Sequence, residues 1–187
     1  MMRNAKELRG IAIVDVKNGA KLGNADEIVV SPDDGRVLGF VMKEGTFLNR
    51  NETIVEIADV RSIGSDAITV EGEAVAHTPE AVAGEIREAR SGGRDLVGRQ
   101  VVTQDGSLVG TIADFAIDVQ ARRVAAIQIG GGLFEKSDVI AADRITSVGA
   151  DVVVVSEPGA DAPDRPFVAV GQTESDQSSR HNRDIRP

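Results

Sequence analysis

An internal repeat constrains the fold of this chain more than any other feature of its sequence. Glycines, apolar runs and one longer segment recur in the same order at nearly the same spacing. The matching segments are Leu8-x-Gly10 with Leu96-x-Gly98, Gly19-x-x-x-Gly23 with Gly106-x-x-x-Gly110, and Val60 to Val70 with Ile145 to Val155. The 187 residues are therefore predicted to contain two copies of one unit, over residues 5–76 and 94–156.

Short apolar runs separated by turn residues predict that each copy is a small all-β domain. Lys17-Asn18-Gly19 and Gln104-Asp105-Gly106 are turns of the kind that connect two strands of a hairpin. The chain has five Phe, no Trp and no Tyr, so its core is built from Val, Ile, Leu and Ala, and the β-branched members favour strands. We expect each unit to close into a small β-barrel, because closure hides the sheet edges.

The segments outside the two copies are predicted to be a linker helix and a disordered tail. In residues 77–93, Thr78 and Pro79 are typical of a helix start, and Val82, Ile86 and Ala89 form an apolar stripe. Residues 157–187 are rich in charged residues and proline without periodicity, which indicates disorder. One apolar patch there, residues 166–170, is a candidate for strand addition to a sheet edge.

The repeated glycines are interpreted as structural. Gly19 and Gly106 are expected to adopt positive φ in hairpin turns, where the lack of a Cβ removes the steric cost. Gly23 and Gly110 are expected at a bulge or bend that starts the next strand.

The sequence argues against catalysis. It contains no Cys, and its two histidines, His77 and His181, are far apart in sequence and do not form a ligand cluster or a triad. Asp114 and Asp118 are candidates for acid–base chemistry, but residues four apart on a strand are about 13 Å apart. These carboxylates, and their first-copy counterparts Glu27 and Ser31, are predicted to be solvated surface, so we expect no catalytic residue, no metal ligand and no cofactor.

The net charge of −9 makes nucleic acid an unlikely partner, since phosphate binding depends on clustered basic residues. Residues 1–76 carry 9 basic and 13 acidic side chains, and residues 94–155 carry 6 and 8, so neither copy is basic. The longest purely apolar stretches have four residues, which predicts no membrane span and a cytoplasmic location.

Together, the repeated motifs of the two copies resemble those of the PRC-barrel family. In the second copy the similar segments are Leu96 to Asp118, Arg122 to Ile129 and Asp143 to Val155, and in the first they are Leu8 to Ile28 and Val60 to Val70. The resemblance implies small β-barrels like those of the photosynthetic reaction-centre H subunit and of a ribosome maturation factor. It also implies a docking or stabilising module in place of a catalyst.

We therefore interpret the chain as a non-catalytic protein-interaction or scaffolding module, whose partner is another protein or a second copy of itself. Phe47 and Phe134 occupy the same position in the two copies, each after a glycine, and with Leu133 they are the candidate partner-binding residues. The alternative for the two phenylalanines is a core plug at the barrel mouth. Two other functions stay open, an RNA- or ribosome-associated maturation factor and a small-molecule or metal-responsive sensor.

Overall fold

The computed structural model describes residues 1–46, 49–72, 75–91, 95–130, 138–149 and 151–156 of the chain. Within these residues the fold is mostly β, as predicted, with two α-helices and one short 3-10 helix at Ala142–Arg144. Residues 47, 48 and 157–187 are not among them, so the predicted disordered tail lies outside the described residues.

The strands of the first repeat form two four-stranded sheets. The strands are β2 (Ala12–Asp15), β3 (Lys21–Asn24), β4 (Glu27–Val30), β5 (Val37–Thr46), β6 (Asn49–Glu56), β7 (Val60–Ile63), β8 (Ala67–Val70) and β9 (Ala76–His77). One sheet has the order β3-β2-β8-β7 and the other the order β4-β5-β6-β9. β2 and β8 are parallel, and both alternate half-buried and buried residues, the period expected of a strand with one face in the core.

The second repeat arranges its strands in the same order within one sheet. The strands are β10 (Gln100–Thr103), β11 (Leu108–Asp118), β12 (Arg123–Gly130), β13 (Val139–Ala141), β14 (Ile145–Val148) and β15 (Val152–Val155). Their order is β13-β12-β11-β10-β15-β14, and β10 is parallel to β15 as β2 is to β8. The long strand β11 corresponds to β3 and β4 together, which residues 25 and 26 separate in the first repeat.

Barrel closure, which the sequence led us to expect, is not seen in the described residues. Each repeat forms open sheets, and no sheet closes on itself. In the first repeat the outer edge of β6 carries β9, so β7 does not pair with it.

The two repeats share one hydrophobic core. A single cluster of buried side chains includes Phe40 and Ile68 of the first repeat together with Phe115 and Ile127 of the second. The amino-terminal residues also cross between repeats, because β1 (Met2–Asn4) pairs with β11 and α1 (Ala5–Leu8) contacts the same strand. No sequence pattern predicted this crossing.

The helix between the repeats covers the outer face of the first repeat. α2 (Gly84–Ser91) contacts β4 and β5, and the predicted stripe of Val82, Ile86 and Ala89 is buried there. These side chains form a second cluster with Val29, Leu38, Val41 and Ile54. The helix begins at Gly84, later than expected, because the residues after Thr78 form a turn in which the N–H of Ala81 donates to the Thr78 carbonyl.

The repeated glycines lie at equivalent places in both repeats. Gly19 and Gly106 have φ of 73° and 88° in the turns that follow β2 and β10. A Cβ on Gly23 would lie 2.8 Å from Met42 Sδ, and one on Gly110 would lie 2.5 Å from Ile129 Cγ2. Both close approaches occur beside a register shift between the paired strands.

Candidate interaction surface

The three predicted partner-binding residues lie outside the described residues. Phe47 follows β5, and Leu133 and Phe134 follow β12. The described surfaces near the ends of β5 and β12 are therefore the place to look for a site. They differ between the two repeats.

In the first repeat this surface is a polar groove of about 330 Å³. Its lining residues are Lys21, Leu22, Gly23, Asn24, Asp26 and Lys43. The backbone N–H of Lys43 donates to the Asp26 carboxylate at 2.7 Å, and the Lys43 ammonium pairs with Glu27 at 3.3 Å. Asp26 and Lys43 of the groove are thus already engaged with neighbouring groups.

In the second repeat the same positions carry apolar or uncharged residues. The equivalent residues are Leu108, Val109, Gly110, Thr111, Ala113 and Gly130. Leu108 is 65% exposed and Val109 is 36% exposed, at the start of β11. We call this exposed start of β11, with Leu108 on one face of the strand and Val109 on the other, the β11 apolar surface.

This surface is exposed because β11 extends beyond its neighbour. The pairing of β11 with β12 ends at Thr111 opposite Gly130, so residues 108 and 109 have no strand on that side among the described residues. On the other side Leu108 pairs with Val102 after a register shift in β10. The backbone is therefore fixed, while both side chains face solvent.

Asp114 is buried, which corrects the expectation that it is solvated surface. Its side chain is 5% exposed, and Oδ1 accepts hydrogen bonds from the backbone N–H groups of Lys6 (3.2 Å) and Phe115 (2.9 Å). Because Lys6 belongs to α1, the carboxylate joins the amino-terminal helix to the second repeat. Its counterpart Glu27 is partly exposed and pairs with Lys43 and, at 3.9 Å, with Arg90.

Ser31 is also buried, contrary to expectation, and its hydroxyl accepts from the N–H of Asp33 at 3.3 Å. Asp118 is partly exposed, and its Oδ1 accepts from the N–H groups of Gln120 (2.9 Å) and Ala121 (3.2 Å). The hydrogen bond from Ala121, followed by that from Gln120, holds the pKa of Asp118 below its usual value. These polar side chains stabilise turns and do not converge on one point.

One further turn uses a carboxylate in the same way. The Thr103 hydroxyl and the Ser107 backbone donate to Asp105 and lower its pKa. His77 lies 3.6 Å from Asp59 across partly exposed surface. Among the described residues, no group of three or more His, Asp or Glu side chains is arranged to hold a metal ion.

The last two features are the capacity of the helices to span a membrane and the similarity of the chain to known proteins. Within the described ranges, no helix combines the length and the apolar character needed to cross a bilayer. The model of the PRC-barrel domain family matches the chain twice, over residues 1–75 and over residues 89–162. No curated protein matches the chain.

Proposed function

This chain belongs to the PRC-barrel domain family, with two domains in tandem, and on that premise we propose that it is a non-catalytic module that docks another protein in the cytoplasm. PRC-barrel domains are protein-interaction modules and are generally non-catalytic. The proposal assigns docking to the second repeat. The first repeat then serves as the part of the scaffold that holds it rigid through the shared core.

The β11 apolar surface is the observation that carries this proposal. Leu108 stands where the first repeat has Lys21, so only the second repeat offers an exposed apolar residue at this position. Apolar side chains on a fixed backbone are suited to the centre of an interface, since little conformational entropy is lost when they are buried. Leu133 and Phe134 follow β12 in sequence, and we assign them to the same surface. Phe47 is at the equivalent sequence position of the first repeat.

Closure of each repeat into a barrel is also part of the proposal. Both repeats keep one order of six strand regions, in which β3 and β4 count as one. We propose that each is a PRC-type barrel whose seam lies between its fourth and fifth strand regions, β6 and β7 or β13 and β14, and that an added segment fills the seam, which is β9 in the first repeat. An experimental structure in which such a segment pairs with both sides of either seam would support this, and solvent-filled seams in both repeats would contradict it.

The docking proposal is tested with one charged substitution and a matched control. Leu108→Glu places a charge in the β11 apolar surface, whereas Val16→Glu changes a 43% exposed valine of the first repeat. Proteins captured by the full chain are identified, purified and titrated against all three chains. We expect Leu108→Glu to weaken binding by about 2 kcal/mol, roughly thirtyfold in Kd, as for a central interface residue.

The control separates a specific surface from general adhesion. Val16→Glu is expected to leave the Kd within about twofold, because exposed substitutions away from an interface usually change free energies by less than about 0.5 kcal/mol. Equal losses in both variants, or no loss in Leu108→Glu, would contradict the proposal. If the captured protein is the chain itself, sedimentation velocity of Leu108→Glu should show a smaller species than the wild type.

A further inference from the structure

The first repeat is completed by the chain segment that follows its last strand. After β8 ends at Val70, residues Ala76 and His77 form β9 on the outer edge of β6, opposite Val55 and Ile54. The chain then crosses the outer face of this sheet. Val82, Ile86 and Ala89 cover Val41 and Ile54 there, and Ile54 is fully buried.

The equivalent face of the second repeat lacks such a cover in the described residues. The pair Val41 and Ile54 on β5 and β6 corresponds to Gln128 and Val139 on β12 and β13, with the same register. Val139 is 68% exposed, the most exposed large apolar side chain in the described part of the chain. There, β13 pairs with β12 alone, so its other edge presents backbone groups without a strand partner.

The chain itself carries a segment suited to this place. Residues 157–187 follow β15, and Phe167 lies twelve residues after Val155, as Val82 lies twelve residues after Val70. Phe167 begins the apolar run Phe-Val-Ala-Val, the longest in residues 157–187.

The volumes of the facing side chains are complementary. Leu38 and Val29, which lie under α2 in the first repeat, are replaced by Ala125 and Ala116 in the second. Both alanines are partly exposed. Smaller residues on the sheet leave room for a larger one above it, and the sequence position equivalent to Val82 carries Phe167.

We propose that residues 161–170 of this chain dock in cis on the second repeat, along the free edge of β13 and over Val139. The segment follows the path that residues 76–89 take on the first repeat. Strand addition supplies backbone hydrogen bonds to β13, and Phe167 buries Val139. Because the tether is short, the effective concentration of the segment is about millimolar, so a weak contact suffices. The site is separate from the β11 apolar surface and does not depend on the proposed docking function.

The absence of Trp and Tyr from the chain gives a direct test. Phe167→Trp in the full chain introduces a single indole, and Gln177→Trp introduces one in the same tail outside the docked run. We expect Trp at 167 to emit at shorter wavelength and to be quenched less by acrylamide than Trp at 177. Adding Val139→Glu should remove both differences, whereas adding Val16→Glu should leave them. Identical emission at the two positions, or a difference that survives Val139→Glu, would overturn the proposal.

Hydrogen exchange gives a second readout that does not rely on substitution of the docked residue. Removal of residues 161–187 should speed amide exchange in β13 by about tenfold, which corresponds to the loss of about 1.4 kcal/mol of protection. Exchange in β9 should stay unchanged, since that strand belongs to the first repeat. Unchanged exchange in β13 would overturn the proposal. So would indole emission that depends on protein concentration, because the segment would then bind a second copy.

Discussion

Arg36 and Arg123, which occupy the same position in the two repeats, form an isolated antiparallel bridge with each other. The N–H of Val37 donates to the Arg122 carbonyl at 2.8 Å, and the N–H of Val124 donates to the Gly35 carbonyl at 2.9 Å. The two hydrogen bonds are equivalent, because Val37 is the counterpart of Val124 and Arg122 is the counterpart of Gly35. The repeats therefore meet here as two equivalent units related by a local twofold rotation.

Arg122 departs from this symmetry and fixes the second repeat to the first. It stands where the first repeat has Gly35, keeps a positive φ of 52°, and donates through its guanidinium to the carbonyls of Ile57 (2.9 Å) and Val60 (2.8 Å). Arg122→Ala should lower the free energy of unfolding by about 2 kcal/mol through loss of these bonds. Arg122→Gly should cost about 1 kcal/mol less than Arg122→Ala, because glycine removes the strain of positive φ. Urea denaturation measures both.

The symmetric position supplies the control for this prediction. Gly35→Ala adds a Cβ at φ 71° without removing a side-chain hydrogen bond, and we expect a loss of about 1 kcal/mol. If Arg122→Gly is less stable than Arg122→Ala, the assigned strain is wrong.

The shared core predicts that the two repeats unfold together. Ile127→Val removes one methylene from the second repeat, at a cost of about 0.5–1.5 kcal/mol. In a cooperative unit, the slowest amides of β8 in the first repeat should exchange faster by the same factor as those of β15. Val16→Ala, at an exposed position, should change neither. Faster exchange confined to β10 through β15 would show that the repeats unfold separately.

The strand content and the duplication could be predicted because they depend on local patterns. Turn glycines such as Gly19 and Gly106 and the four-residue apolar runs are short-range signals, and they repeat in sequence. The crossing of β1 and α1 to the second repeat could not be predicted, because the four residues Ala5–Leu8 carry too little periodicity to show which sheet buries them.

The candidate site was predicted less well than the fold. The burial of Asp114 depends on the N–H of Lys6, a residue 108 positions away in sequence, which no local pattern encodes. The β11 apolar surface was missed because Leu108 and Val109 look like ordinary strand residues. The sequence alignment of the two copies offered a signal, since Leu108 aligns with Lys21 and Arg122 aligns with Gly35.

The packing around Gly110 and its first-repeat counterpart Gly23 predicts that the two glycines respond differently to an added methyl group. In Gly110→Ala the new Cβ meets the branched side chain of Ile129 at a φ of 153°, so we expect a loss of about 1–3 kcal/mol. In Gly23→Ala the Cβ meets the flexible Met42 side chain, which moves aside more easily, and the loss should be smaller. Thermal denaturation of both variants compares them. The reverse order would mean that the β11 backbone adjusts more readily than Met42.

The carboxylate of Asp118 predicts a pH dependence of stability. Its pKa is lowered in the folded chain, chiefly by hydrogen bonds from the N–H groups of Ala121 and Gln120 and further by the terminal amine of Met1, 3.7 Å away. A group with a depressed folded pKa stabilises the fold above its unfolded pKa, about 4 for Asp, and loses that contribution as the pH falls through the folded value.

Asp118→Asn isolates the charge, because the amide oxygen still accepts from the same two N–H groups. The wild type should be the more stable chain at pH 7, and the difference should disappear as the pH falls below about 4. Urea midpoints measured from pH 7 to pH 2.5 test this, with Asp143→Asn as a control carboxylate in the 3-10 helix. A difference between wild type and Asp118→Asn that stays constant down to the lowest pH would assign the stabilisation to geometry alone and not to the carboxylate charge.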